Sequence, residues 1–253
     1  MKALIAANLK MNLNSRQTIA LVKNYIKLIR KPKNDVVVCA SFTAIPEISK
    51  SVKKSKLVLG AQDIFYEQKG AYTGEISALM LKEYGCKYAI IGHSERRQYL
   101  KETDELVNLK LKGALRVGMT PILCIGEDAY FRDSGESFAF VEKQLKACIT
   151  GIDKKQIIKV AIAYEPIWAI STTKDRRDIT TRDITQMHNF IRKLLKDAYD
   201  LRTASKVRIL YGGSVNEQNI SEILKAENVN GMLVGAASLD ARKFAKVVKA
   251  FEQ

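Results

Sequence analysis

Eight short apolar runs recur along the chain, and their spacing constrains the fold more than any single residue does. They read ALIAANL, VVVCAS, KLVLGAQ, YAIIGHS, TPILCIG, KVAIAYE, VRILYGG and GMLVGAA, in that order. Most are continuously apolar rather than alternating, as strands of a parallel sheet are when both faces are covered. Helical periods lie between them. Ile19, Val22, Ile26 and Ile29 recur at spacings of three and four before KPKND breaks the segment. Phe244, Val247, Val248 and Phe251 trace a second stripe near the end. Ser15, Thr103 and Asn216 are candidate helix caps.

Eight strand–helix units within 253 residues predict an α/β fold, a (β/α)8 barrel formed as one domain over residues 1–253. A doubly wound sheet is the alternative, because periodicity alone does not show closure. Its nucleotide signature, GxGxxG after the first strand, is absent: that strand runs into AANLKMN. No linker or low-complexity stretch divides the chain.

The 47% hydrophobic and 27% charged residues fit a soluble globule with a sizeable core. No long apolar run suggests a membrane span or a secretory leader, so a cytoplasmic location is expected. Cys39, Cys86, Cys124 and Cys148 form no CxxC pair, and the chain has only two histidines. They read as reduced packing residues, with neither metal site nor disulfide framework. The formal charge of +15 favours anions of any kind. The basic residues are spread along the chain instead of forming one arm, which favours solvated helix faces and a small anionic ligand over a nucleic-acid surface. No specific nucleic-acid or membrane partner is expected.

A parallel barrel carries its chemistry at the carboxyl ends of its strands. There the chain places Asn8 and Lys10, His93 and Glu95, Glu127, and Glu165, with Ser214 and Gly235 after the last two strands. Each has a plainer reading: Asn8 as a turn cap, Lys10 as a solvated lysine, His93 as a hydrogen-bonded core histidine, Glu165 as half of a rim ion pair. Their shared placement on strand ends favours a site, since four unrelated residues would not need that distribution.

Seven fragments together resemble the triosephosphate isomerase family over essentially the whole chain. They are NLKMN at 8–12, GAYTGEIS at 70–77, IGHSERR at 91–97, CIGE at 124–127, AYEPIWAI at 163–170, YGGSVN at 211–216 and GMLVGAASL at 231–239. The resemblance implies a TIM barrel that interconverts dihydroxyacetone phosphate and D-glyceraldehyde 3-phosphate through an enediolate, without cofactor or metal. It implies Glu165 as the base, its proton affinity raised by partial desolvation, and His93 as a neutral electrophile; the family is itself a standard reference case for such tuning. Lys10 would supply fixed positive charge, Asn8 an amide donor, and Glu95 support beside that lysine. Ser171, Ser214, Gly235 and Ala236 would bind the phosphate through backbone N–H groups and the Ser214 hydroxyl.

The same resemblance makes residues 166–176 a lid, with Pro166, Ile167 and Trp168 as its first hinge and Glu127 and Tyr164 as partners of that hinge. On the residues alone, Trp168 also reads as a plug between helices. The chain departs from the family pattern at several points. Ser171 and Thr173 stand where glycines are usual, Asp175 and Arg176 replace a small second hinge, Leu9 replaces a tryptophan, and Ala236 replaces a second glycine. Alanine in a left-handed conformation would cost about 1–2 kcal/mol. These departures motivate a second reading, an isomerase for another small phosphorylated sugar. Residues 62–75, QDIFYEQKGAYTGE, resemble the interdigitating loop through which family members form homodimers, with Thr73 reaching a partner subunit and Arg96 supporting the loop.

Overall fold

Alternate residues of each apolar run belong to two different packing layers. The computed structural model describes residues 1–170, 173 and 176–252. In β1 (Leu4–Asn8), Leu4 and Ala6 join an inner cluster with Val37, Tyr88, Ile122 and Leu210, whereas Ile5 and Ala7 join the larger outer cluster under the helices. Both faces are therefore covered, which is why the runs are continuously apolar.

The remaining strands are β2 (Asp35–Ala40), β3 (Val58–Ala61), β4 (Cys86–Ile91), β5 (Thr120–Ile125), β6 (Ala161–Tyr164), β7 (Arg208–Tyr211) and β8 (Gly231–Val234). Each pairs in parallel with its sequence neighbours, and β1 pairs with β8, so the sheet closes into a barrel. The doubly wound alternative is excluded by that closure. At the amino end, Arg208 on β7 donates to Asp35 Oδ2 at 2.8 Å and its guanidinium lies 5.8 Å from the Tyr88 ring centroid. Charge and aromatic bulk thus seal the end away from the site.

Helices α1 (Ser15–Leu28), α2 (Ile45–Lys53), α3 (Ala78–Glu83), α4 (Ser94–Leu100) and α5 (Asp104–Arg116) precede β5. The first stripe keeps Val22 and Ile29 of the predicted four and is completed by Leu21 and Tyr25. Leu21, Val22, Tyr25 and Ile29 are buried, while Ile19 and Ile26 flank them half-buried. Tyr25 anchors this face, its hydroxyl donating to the carbonyl of Ser238, just after the neighbouring strand β8. The cap of α1 is Asn14, reciprocated by Gln17, and Ser15 instead donates to the Thr43 carbonyl at 2.9 Å. Thr103 does cap α5, accepting the Leu106 N–H at 3.3 Å.

After β5 come α6 (Ala129–Asp133), α7 (Ser137–Ile149), α8 (Lys154–Ile157), α9 (Thr181–Ala198), α10 (Leu201–Ala204), α11 (Ile220–Ile223) and α12 (Ala241–Ala250). Phe244, Val247 and Val248 are the buried stripe of α12, with Phe251 half-buried just past its end. Asn216 does not cap α11 directly. Its side chain accepts the N–H groups of Gln218 and Asn219 in the turn before that helix, at 2.8 and 3.0 Å. All four cysteines are buried free thiols. Among the described residues, no helix is long and apolar enough to cross a membrane.

Candidate active site

The inward alternation continues past the inner apolar cluster at the carboxyl ends of the strands. From Ala6 it leads to Asn8, from Cys124 to Gly126, from Ala163 to Glu165, from Leu210 to Gly212 and from Leu233 to Gly235. Glycine at two of these positions, Gly126 and Gly212, makes room for Glu165. A Cβ on Gly126 would stand 1.9 Å from the Glu165 carbonyl oxygen, and one on Gly212 would stand 2.7 Å from Glu165 Cγ. The result is one small pocket to which Asn8, Lys10, His93, Glu165, Ser214 and Gly235 all contribute, with Ala236 at its edge.

Lys10 reaches the pocket from a left-handed backbone, φ 51°. That conformation costs a residue with a side chain about 1–2 kcal/mol, and strain of this kind concentrates where geometry is functional. Two side chains hold it: Asn8 Oδ1 accepts the Lys10 N–H at 3.1 Å and Gln62 Nε2 donates to the Lys10 carbonyl at 2.9 Å. With Oδ1 so engaged, Asn8 has its NH2 group left to offer a ligand. The Lys10 ammonium donates to Glu95 Oε1 at 2.6 Å, so Glu95 stands behind the lysine and does not line the pocket.

Glu165 is only 2% exposed. Its Oε1 lies 3.1 Å from His93 Nε2, and its Oε2 accepts the Ser94 backbone N–H at 3.3 Å. Burial pushes its proton affinity up and is the largest single influence. His93, the Ser94 N–H and Lys10 oppose it, and the net direction is below the ordinary carboxylate range. The expectation that desolvation raises Glu165 is thus not met while the carboxylate rests on His93. His93 is the mirror case: burial pushes the imidazole down, the Glu165 and Glu95 carboxylates pull it up, and the net direction is up. His93 is also the cap of α4, its Nδ1 accepting the Glu95 N–H at 3.3 Å. That bond puts the ring's proton on Nε2, facing Glu165.

Residues 166–168, the expected first hinge, are tied to one buried carboxylate. Glu127 Oε1 accepts from Trp168 Nε1 at 2.8 Å and from Tyr164 Oη at 3.0 Å. Burial, opposed by those two bonds, holds Glu127 above the usual carboxylate range. The Arg132 guanidinium covers the Trp168 ring 4.5 Å from its centroid. Trp168 is therefore a tethered hydrogen-bond donor as well as a packed ring. Thr173 uses its hydroxyl, donating to the Ile167 carbonyl at 2.5 Å, a tie that glycine could not make. Ser171 and Asp175 lie outside the described residues.

On the side where the resemblance places the phosphate, Ser214 Oγ accepts from Arg176 Nη1 at 3.1 Å. Ala236 corrects the sequence expectation of strain. It opens a 3-10 turn, Ala236–Leu239, and is not among the described non-glycine residues with positive φ. The flanking Gly235 is the residue that approaches the lysine, where an added Cβ would lie 3.5 Å from Lys10 Cε.

Sequence reading missed a buried charge cluster under the loop at residues 62–75. Lys110 of α5, in the core of the cluster, donates to Asp63 Oδ2 at 2.6 Å and to Glu102 Oε1 at 2.5 Å. Arg96 joins them, 2.9 Å from Asp63 and 2.7 Å from Glu102, and so supports the loop as expected. Burial, opposed by Lys110, pushes the Asp63 carboxyl up to about 6. Among the described residues, no three His, Cys, Asp or Glu side chains are grouped so as to hold a metal.

The geometry, one carboxylate beside an imidazole N–H, an ammonium and an amide, suits proton abstraction next to a polarised carbonyl. Comparison with known proteins agrees with it. The family model described as "Triosephosphate isomerase" matches residues 3–251. The chain is 46% identical over 247 residues to a protein of that name from Thermoanaerobacter pseudethanolicus, covering 98% of each. It is 43% identical over 252 residues to one from Aquifex aeolicus, covering 99% of this chain and 100% of the other. The crystal structure of triosephosphate isomerase from Bartonella henselae superposes over 100% of both chains with a TM-score of 0.89 at 31% identity. The chain belongs to the triosephosphate isomerase family.

Proposed function

We propose that the chain is a single-domain triosephosphate isomerase, interconverting dihydroxyacetone phosphate and D-glyceraldehyde 3-phosphate without cofactor or metal. The observation that carries this reading is the convergence of Glu165, His93, Lys10 and Asn8 on one small pocket bordered by Ser214, Gly235 and Ala236.

In the resting arrangement Glu165 is held by His93 and Ser94. A substrate carbonyl entering beside His93 takes over the Nε2–H, and the carboxylate turns to the adjacent carbon. Glu165 thereby loses the donors that hold its proton affinity down and keeps the burial that raises it, so it becomes a stronger base where it is needed. It takes the carbon-bound proton, the C–H electron pair forms the enediolate double bond, and the carbonyl electrons move to oxygen. His93 Nε2–H, the Lys10 ammonium and the Asn8 amide share that oxygen's charge. The hydroxyl proton on the carbon just deprotonated passes to the former carbonyl oxygen by way of His93, whose Nε2 gives its proton to one oxygen and takes the proton of the other. Protonated Glu165, whose proton exchanges with solvent during the lifetime of the enediolate, then delivers a proton to the former carbonyl carbon as the new carbonyl forms. His93, freed from the Glu165 carboxylate, loses the strongest upward pull on its proton affinity and acts as a neutral donor. Glu95 positions Lys10, while Glu127 holds Trp168 at the hinge.

The competing reading, an isomerase of another small phosphorylated sugar, rests on Ser171, Thr173 and Ala236. Comparing kcat/KM for glyceraldehyde 3-phosphate and for a tetrose phosphate separates the two. We expect the triose to be preferred; a much larger value for the tetrose would reverse the assignment.

The proposal extends to a homodimer through residues 62–75. In support, Phe65, Tyr66 and Tyr72 stack with one another at that loop, with ring centroids 4.3 and 4.6 Å apart from Phe65. Met11 is 97% exposed and Tyr99 70% exposed, apolar surface that a second copy would cover. Sedimentation at micromolar concentration should give twice the chain mass. The cytoplasmic location is part of the same proposal and rests on composition.

A further inference from the structure

Arg176 stands where the family resemblance calls for a small hinge residue, and its guanidinium is turned toward the site. Nη1 donates to Ser214 Oγ at 3.1 Å and Nη2 to Asp178 Oδ1 at 3.0 Å. Ser214 lines the pocket that holds Glu165 and His93, and also a neighbouring cavity shared by Arg176 and Tyr211. Tyr211 is wholly buried and its hydroxyl has no hydrogen-bond partner among the described residues. That hydroxyl sits under the turn at residues 212–214, since a Cβ on Gly213 would stand 2.1 Å from it. Burial pushes the Tyr211 hydroxyl's proton affinity up, and the nearby charge of Arg176 opposes that push. Three observations therefore put one guanidinium against the turn that the phosphate is expected to occupy.

We infer that Arg176 is a phosphate-binding residue of this chain, reading the substrate's phosphoryl group together with Ser214; this rests on the functional reading above. A serine hydroxyl has one proton and two acceptor lone pairs. Because Ser214 Oγ accepts from Arg176, its own proton remains to donate to an anion, and the incoming N–H polarises it in that direction. A phosphate oxygen bonded to Oγ at about 2.7 Å lies within reach of the same guanidinium after a side-chain rotation. The present partner is a weak competitor. Asp178's side chain is 93% exposed, so that pair is screened by water and salt. A phosphate dianion offers several oxygens to the planar fork of arginine, which one exposed carboxylate oxygen does not match. The same contact would add a fixed charge at the second hinge, where alanine would offer only backbone.

The test uses inorganic phosphate as a competitive inhibitor of the full-length enzyme, with Arg176→Ala, Arg176→Lys and Ser214→Ala compared with the parent. Arg176→Ala should raise the phosphate Ki by about fivefold, raise KM for glyceraldehyde 3-phosphate to a similar extent, and change kcat less than KM. Arg176→Lys, which keeps charge but not the fork, should recover part of the loss and serves if the alanine variant does not fold. If Ser214→Ala raises Ki while both Arg176 variants leave it unchanged, Arg176 does not bind phosphate and the site reading stands. A fall in kcat at constant Ki for Arg176→Ala would make Arg176 a hinge residue only and overturn the inference. If Ki is unchanged in all three variants, the phosphate-site reading itself falls, and the role of Arg176 with it.

Discussion

Glu165 Oε1 and His93 Nε2 are 3.1 Å apart, so the proposed base and the proposed electrophile satisfy one another until substrate separates them. This contact accounts for the opposite directions of their proton affinities, Glu165 down and His93 up. It also makes the length of the Glu165 side chain critical, because the carboxylate has to reach a second position over the substrate carbon.

Glu165→Asp should fold normally and lose about 10²-fold in kcat, the scale expected when a reacting group retreats by about 1 Å. Steady-state rates with glyceraldehyde 3-phosphate, alongside circular dichroism, test it. Near-parental turnover in the folded variant would remove Glu165 from the reaction.

His93→Gln keeps a donor of similar reach but loses the imidazole whose tautomer is set by the Glu95 N–H. Its defect should fall on kcat by about 10²-fold or more, with inorganic phosphate inhibiting it nearly as well as the parent. A selective rise in phosphate Ki with kcat intact would assign His93 to binding instead.

Trp168→Phe removes the indole donor to Glu127, whose other oxygen is already buried without a partner among the described residues. Leaving the carboxylate one donor short should destabilise the protein by about 1–3 kcal/mol, read as a lower urea midpoint at unchanged slope. An unchanged midpoint would mean that the Trp168–Glu127 bond adds nothing to hinge stability.

His188 supplies a pH dependence independent of catalysis. It is fully buried, with Nδ1 3.1 Å from the Asn228 carbonyl and Nε2 unpartnered among the described residues; the Tyr164 ring and Arg192 also face it. Burial lowers its pKa from 6.5 to about 4, with the Asn228 carbonyl opposing and Arg192 adding to the fall. Between those values the unfolded chain binds a proton that the folded chain refuses. Stability is therefore fully present above pH 6.5 and falls as pH drops towards 4, by an amount on the order of 3 kcal/mol. Unfolding free energies at pH 7 and pH 5 should differ less in His188→Asn, which retains a donor for Asn228, than in the parent. Equal differences would show that His188 does not titrate on unfolding.

The barrel was legible because a parallel strand buried on both faces leaves a continuous apolar signature, and each run stops where a polar residue emerges at the rim. The same logic located Asn8, Lys10, His93 and Glu165. Backbone conformation was not legible: Ala236 looked strained beside its family pattern, yet its position at the start of a 3-10 turn removes the penalty. Nor was the burial of Lys110, which in LVNLKLKGAL reads as a solvated helix lysine. Asp63 and Glu102, the groups that neutralise it, lie 47 and 8 residues away. The resting charge balance of Glu165 was hidden for a related reason. It depends on a Ser94 N–H and an imidazole brought together by closure of the barrel, which local sequence does not specify.

The most direct test of proton transfer by Glu165 is conversion of glyceraldehyde 3-phosphate in deuterium oxide, in the presence of a metal chelator, followed by proton NMR. Proton transfer by Glu165 predicts rapid formation of dihydroxyacetone phosphate, part of it carrying solvent deuterium on carbon 1, with both conversion and label lost in folded Glu165→Ala. Undiminished conversion and labelling by folded Glu165→Ala would contradict it.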